Sequence, residues 1–168
     1  GVPEGQLLAT QGREDIPVEA AIVRGVPSRH GKVYAGRIPL PGNITSPPPW
    51  PPRLRDLRHG QVLNWHVQLD GLNVVHIDTA DLIDAEFAGL QADVVCLCAI
   101  GRRYRPNYVA SVVQKLNPTW IIPCHWDWFF TPYQQPPKLL PGVDLGGFIQ
   151  EIADHNVQPV VLPIDGQF

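Results

Sequence analysis

The chain reads as an α/β protein, a mixed β-sheet with helices packed on one face. Three observations carry this. Residues 61–77 alternate apolar and polar side chains around Asp70-Gly71, the pattern of a half-buried hairpin closed by a type I′ turn. Residues 93–100 and 119–122 are short, continuous apolar runs of the kind that form buried parallel strands. Residues 106–116 and 145–155 then repeat apolar side chains at helical spacing. A hairpin followed by alternating strands and helices builds a layered sheet.

Taken in order, residues 5–16 are polar and weakly patterned. Residues 18–26 (Val18, Ala20, Ala21, Ile22, Val23, Val26) predict a strand that runs into Pro27-Ser28-Arg29-His30-Gly31. Prolines crowd residues 37–58, including Pro47-Pro48-Pro49-Trp50-Pro51-Pro52-Arg53. Such a run is stiff, supplies no strand ladder, and reads as a rigid surface loop. Pro48, Pro51 and Arg53 also match the spacing that aromatic-lined peptide-binding grooves read.

In the hairpin, Leu63, Trp65, Val67 and Leu69 alternate with Asn64, His66, Gln68 and Asp70, and the second strand ends at His76-Ile77-Asp78-Thr79-Ala80-Asp81. A short helix is expected at 84–90, with Phe87 and Leu90 inward. Pro106 suits a first helical turn, and Val109, Val112, Val113 and Leu116 mark that helix's buried side. The strand at 119–122 is expected to stop at Pro123. Helix 145–155 turns Phe148, Ile149 and Ile152 to one side, and residues 157–162 read as an edge strand because Pro159 lacks an N–H.

Composition narrows the function classes. The 168 residues are long enough for one domain, 1–168, with its own core. A net charge of −3 gives no basic field for nucleic acid. No apolar run approaches the ~20 residues of a membrane span, and no secretory leader opens the chain. Three cysteines, two of them in an apolar run, suit a reducing, cytoplasmic setting better than a disulfide framework. Methionine is absent, so Gly1 reads as something other than a native start, and the chain is expected to be a fragment or processed product.

Three strand ends deliver His30, Asp78 (with Asp81 close by) and His125. Imidazole and carboxylate suit zinc, manganese or iron at a hydrolytic centre, and an α/β scaffold assembles such sites from separate strand ends. His59, His66, His76 and His155 read as structural or surface residues. Other chemistries fare worse. Cys124 and His125 are neighbours, whose side chains point to opposite faces of a strand, so they do not form a nucleophile–base pair. Cys96 and Cys98 sit in an apolar setting that favours inert thiols. Ser28 and Ser46 have no glycine-framed elbow, and no phosphate-binding glycine loop is present.

Val-Pro-Ser-Arg-His30, the hairpin ending in His76-Ile77-Asp78-Thr79, the apolar strand ending in Gly101, and Ile-Pro-Cys-His125-Trp-Asp127-Trp-Phe129 together resemble the second half of the metallo-β-lactamase superfamily. The nearest likeness is to its broad branch of metal-dependent hydrolases similar to ascorbate-6-phosphate lactonases and N-acyl phosphatidylethanolamine phospholipases. The resemblance runs from about Val18 to the C-terminus. It implies half of an αββα sandwich, with His30, Asp78 and His125 as metal ligands and zinc the leading candidate. It further implies that Asp78 and His125 are catalytic, and that a metal-bound hydroxide attacks an ester, lactone, amide or phosphodiester of a small-molecule substrate. Ile77 stands where the family usually has glycine, which keeps Asp81 as an alternative to Asp78. The family's upstream His-x-His-x-Asp-His has no counterpart here.

Three expectations follow. The three ligands should converge. Arg102, Arg103 and Arg105, with Trp126 and Trp128, should line a substrate pocket on the loops after the two apolar strands. One face of the sheet should lack a partner, so a second chain is expected, either the missing half or a copy. The competing readings are a non-catalytic interaction module, using the open sheet or the proline-rich loop, and a thiol enzyme using Cys124.

Overall fold

The computed structural model describes residues 2–162. Among them, seven strands form one sheet in chain order: β1 (Asp15–Val18), β2 (Ala21–Ser28), β3 (Val62–Leu69), β4 (Leu72–Ile77), β5 (Val94–Cys98), β6 (Trp120–Cys124) and β7 (Gln158–Pro159). β1 to β4 pair antiparallel, and β4 to β7 pair parallel. Helix α1 (Tyr108–Leu116) links β5 to β6, and α2 (Leu145–Ala153) precedes β7. This is the mixed α/β sheet that the hairpin and the two apolar runs predict.

Both helices pack on the same face. Tyr108, Val109, Val112 and Leu116 of α1, with Phe148 and Ile152 of α2, share one core with Val26, Val75, Ile77, Val95, Leu97 and Ile121 of the strands. Asp144 caps α2, its Oδ1 accepting the Gly147 N–H at 2.9 Å. The β3–β4 hairpin turns through Asp70 (φ 50) and Gly71 (φ 81), the left-handed pair a type I′ turn requires.

Among the described residues, the other face carries no helix. Register places Val23, Leu63, Trp65, Val67, Val74, Cys96 and Ile122 on it, and all seven are only half-buried. Alternation in β3 therefore holds, but its deeply buried members are the polar ones: Asn64 is fully buried and His66 nearly so, both on the helix-covered face. The helix-covered face of β3 is therefore its polar one.

Three elements differ from expectation. The strand at 18–26 is a hairpin, because Glu19 adopts φ 52 and Val18 pairs with Ala21 across a two-residue turn. The helix at 84–90 is a single 3-10 turn, Asp84–Phe87, ended by extended Ala88 and by Gly89 at φ 77, although Phe87 still points inward. β6 does not stop at Pro123. The Ile121 carbonyl faces β7, where it accepts from Val160, and Pro123 has the same parity, so its missing N–H faces the side beyond the end of β7. Pro159 sits on the edge strand, and Gln158 and Val160 on either side of it donate to β6.

The proline-rich stretch at 37–58 contributes no strand. Its one regular piece is the 3-10 turn Leu54–Asp56, and Trp50 at its tip is 91% exposed.

Candidate functional site

Strand directions decide what meets. β2, β4, β5 and β6 all run the same way, so the residues after their C-terminal ends (His30, Asp78, Gly101 and His125) arrive at one edge of the sheet. β3 runs the opposite way between β2 and β4, so the segment before it, carrying His59, reaches that same edge.

Buried polar bonds hold these loops together. The Gly31 N–H donates to Thr79 Oγ1 at 2.7 Å, tying the His30 loop to the Asp78 loop. Asn64, at 0% exposure, donates to Ser28 Oγ (3.1 Å), and its Oδ1 accepts the Asp78 N–H (3.3 Å). Two glycines are required by close approach. A Cβ on Gly31 would lie 2.9 Å from Thr79 Oγ1 and from the Ala80 backbone, and one on Gly101 (φ 85) would collide with the Lys32 carbonyl.

His30, His59 and Asp78 line one cavity of about 330 Å³, with Gln61, Val62, Leu63 and Trp65 completing it. The His30 and His59 rings lie 5.1 Å apart, centroid to centroid. Each donates from Nδ1 to the carbonyl of the glycine that follows it, His30 to Gly31 at 2.8 Å and His59 to Gly60 at 2.7 Å. A carbonyl only accepts, so Nδ1 carries a proton on both rings, and in the neutral ring Nε2 is then the lone-pair nitrogen. The Asp78 carboxylate is exposed and accepts no hydrogen bond from the described residues. His125 reaches the Asp78 carbonyl with Nδ1 at 3.4 Å, and its backbone is held at φ 55, a left-handed conformation costly for a side-chain-bearing residue.

This donor set suits a divalent cation in kind: neutral imidazoles with Nδ1 already engaged, beside an unpaired carboxylate. In spacing it is more open. Among the described residues, no three histidine, cysteine, aspartate or glutamate side chains close on a single point.

Asp81 is differently employed. Its Oδ1 accepts from Leu82 N–H (2.8 Å) and from Arg105. Arg105 also pairs with Asp84, and Arg102 pairs with Glu151 and Asp144 (3.3 Å) while lying 5.3 Å from the Phe148 ring. Arg103 is exposed, stacks on Tyr104 and pairs with no carboxylate among the described residues. Trp126 packs against the main core. Trp128 groups with Phe129 and Phe130, and Phe129 lies 5.2 Å from the His125 ring.

The cysteines are buried near the site. Cys98 and Cys124 are register partners, and Cys98 Sγ lies 3.6 Å from His125 Nδ1. Burial, then the nearby Asp78 charge, pushes the Cys98 thiol up to about 12. Burial raises Cys124 further.

The chain superposes over 94% of its length on a protein from Parabacteroides distasonis described as a metal-dependent hydrolase, with a TM-score of 0.53 and 14% identity. It also superposes over 90% of its length on a variant of the CmlA beta-hydroxylase, with a TM-score of 0.50 and 13% identity. The chain shares the fold of the corresponding part of those two proteins. A protein from Thermotoga maritima described as a zinc-dependent hydrolase of the metallo-β-lactamase superfamily is a looser match, with a TM-score of 0.43 and 16% identity over 84% of this chain. This chain spans 58%, 31% and 55% of those three chains respectively. No protein-family model and no curated protein matches it.

Of the residues singled out in the sequence, His30 and Asp78 share one cavity, and His125 adjoins Asp78 through its carbonyl. His59 was missed, because a search of C-terminal strand ends skips the one antiparallel strand whose N-terminus arrives there. Its signal was available: the Asp70-Gly71 hairpin already fixes the direction of β3.

Proposed function

We propose that the chain is part of a divalent-metal-dependent hydrolase that cleaves an ester, lactone, amide or phosphodiester bond in a small-molecule substrate. The observation that supports it most is His30 and Asp78 lining one cavity at the sheet edge of a half-sandwich, with His125 against the Asp78 carbonyl. In this reading His30, Asp78 and His125 hold the metal, zinc before manganese or iron. The unpaired Asp78 carboxylate is the ligand, and Asp81, committed to Arg105, serves structure. A cation bound there would polarise the scissile bond and lower the pKa of a water molecule.

The chain's own residues do the rest. Asn64 and Thr79 tie the Asp78 and His30 loops to the sheet and to each other, which keeps the donors on one edge. Trp128, Phe129 and Phe130 form an apolar wall beside His125, and Trp126 packs against the main core. Arg103, free of carboxylate partners among the described residues, is the cation best able to meet an anionic substrate group. Arg102 and Arg105 would have to leave ion pairs to do so.

The helix-free face of Leu63, Trp65 and Val67 is the surface a second sheet would cover, supplied by the rest of the sandwich or by a copy of the chain. That same face supports the alternative of a non-catalytic interaction module. Hydrolysis of aryl ester, lactone and phosphodiester probes, with and without a chelator, separates the two. The hydrolase reading expects turnover that the chelator abolishes and that Asp78→Ala removes. Chelator-insensitive turnover, or none on any probe in the presence of zinc, would contradict it.

A further inference from the structure

We infer that His59 is a second imidazole donor beside His30 for the divalent cation, an inference that rests on the metal reading above. Its ring lies 5.1 Å from that of His30, centroid to centroid, at an interplanar angle of 37°. The two rings and Asp78 line the same cavity.

The stronger argument is the matching preparation of the two side chains. Each is followed by glycine, and each donates its Nδ1–H to that glycine's carbonyl, at 2.8 Å for His30 and 2.7 Å for His59. This bond fixes the tautomer, restrains the ring and leaves Nε2 as the free lone pair. Histidines that bind metals through Nε2 are held in the same way by an acceptor at Nδ1. The two rings share this arrangement across one cavity. The loop is also anchored where it must be: the His59 N–H donates to the Leu40 carbonyl at 2.9 Å, and the Gly60 N–H donates to the Gly42 carbonyl at 3.2 Å. The proline-rich segment thereby acquires a role. It is a stiff span between β2 and β3 that returns His59 to the edge where His30 leaves.

The test is zinc titration of the full chain, read by ¹⁵N resonances of the histidine side chains, with calorimetry on His59→Gln and His30→Gln. The inference expects the free His30 and His59 rings to share the Nδ1–H tautomer. It expects both Nε2 resonances to shift on zinc addition, and His59→Gln to weaken zinc binding about 10–100-fold. If His30 responds to zinc while the His59 resonance stays put and His59→Gln binds as tightly as the wild type, the inference is overturned and the metal reading survives. If the wild-type chain binds no zinc and no histidine responds, both fail together. The resonance readout uses the unmodified chain, so poor folding of either variant leaves the question decidable.

Discussion

Cys98 and Cys124 stand side by side where β5 and β6 end, within reach of His125, and invite a thiol mechanism. Their surroundings argue against it. Burial holds both as neutral thiols at physiological pH, and the thiolate is the reactive species. Iodoacetamide at neutral pH should therefore leave both unmodified in the folded chain and label them once urea unfolds it. Fast labelling of the folded protein would restore the thiol reading. His66 makes a second prediction. Burial lowers its pKa below 6.5, against a smaller raising effect from Asn73. The unfolded chain then binds the proton first as pH falls, so stability is intact above pH 6.5 and declines through the window just below it. Melting temperatures across that window should fall for the wild type and change less for His66→Gln. Equal slopes would mean that the ring titrates normally.

At the scale of elements, the loops of the site are packed against one another by glycines. Gly101→Ala forces a left-handed backbone on alanine and drives its Cβ into the Lys32 carbonyl. The strain alone costs about 1–3 kcal/mol, and the collision adds to it. Gly71→Ala, at φ 81 with open space around it, should cost only about 1 kcal/mol. Urea unfolding of the two variants measures the difference, and equal losses would show that the Lys32 contact is easily relieved. Elements with a local signal were legible in the sequence: the β3–β4 hairpin, the apolar runs of β5 and β6, and the amphipathic α1 and α2. Turns set by single residues were not. Glu19 at φ 52 splits one expected strand in two, and nothing in its side chain announces that conformation. The arrival of Asp78 and His125 at one sheet edge was legible, because Asp78 follows the second strand of the hairpin and His125 follows an apolar run that predicts a parallel strand. His59 follows a proline-rich loop, and its arrival at the site depends on the direction of β3, a property of the whole sheet.

Among the described residues, the sheet as a whole has one face covered by helices and one without a helix over it. Leu63, Trp65, Val67, Val74 and Ile122 form an apolar surface without a helix over it. A few hundred Å² of such surface represents several kcal/mol at ~25 cal/mol per Å², comparable with the stability of a domain. Sedimentation velocity at micromolar concentration should find the chain self-associated, and Trp65→Glu should shift it towards monomer. A wild type that sediments as a compact, cooperatively melting monomer would show that this face needs no cover. Association and metal binding are linked in the account, since the cavity of His30, His59 and Asp78 is walled by Leu63 and Trp65 of the same face. The central claim is that this sheet edge holds a divalent metal. Cobalt titration of the chain, followed by visible absorption, tests it most directly. Saturable binding with a ligand-field spectrum is expected, weakened tenfold or more by either His30→Ala or Asp78→Ala. A wild-type chain that develops no such spectrum, or variants that titrate as the wild type does, would contradict it.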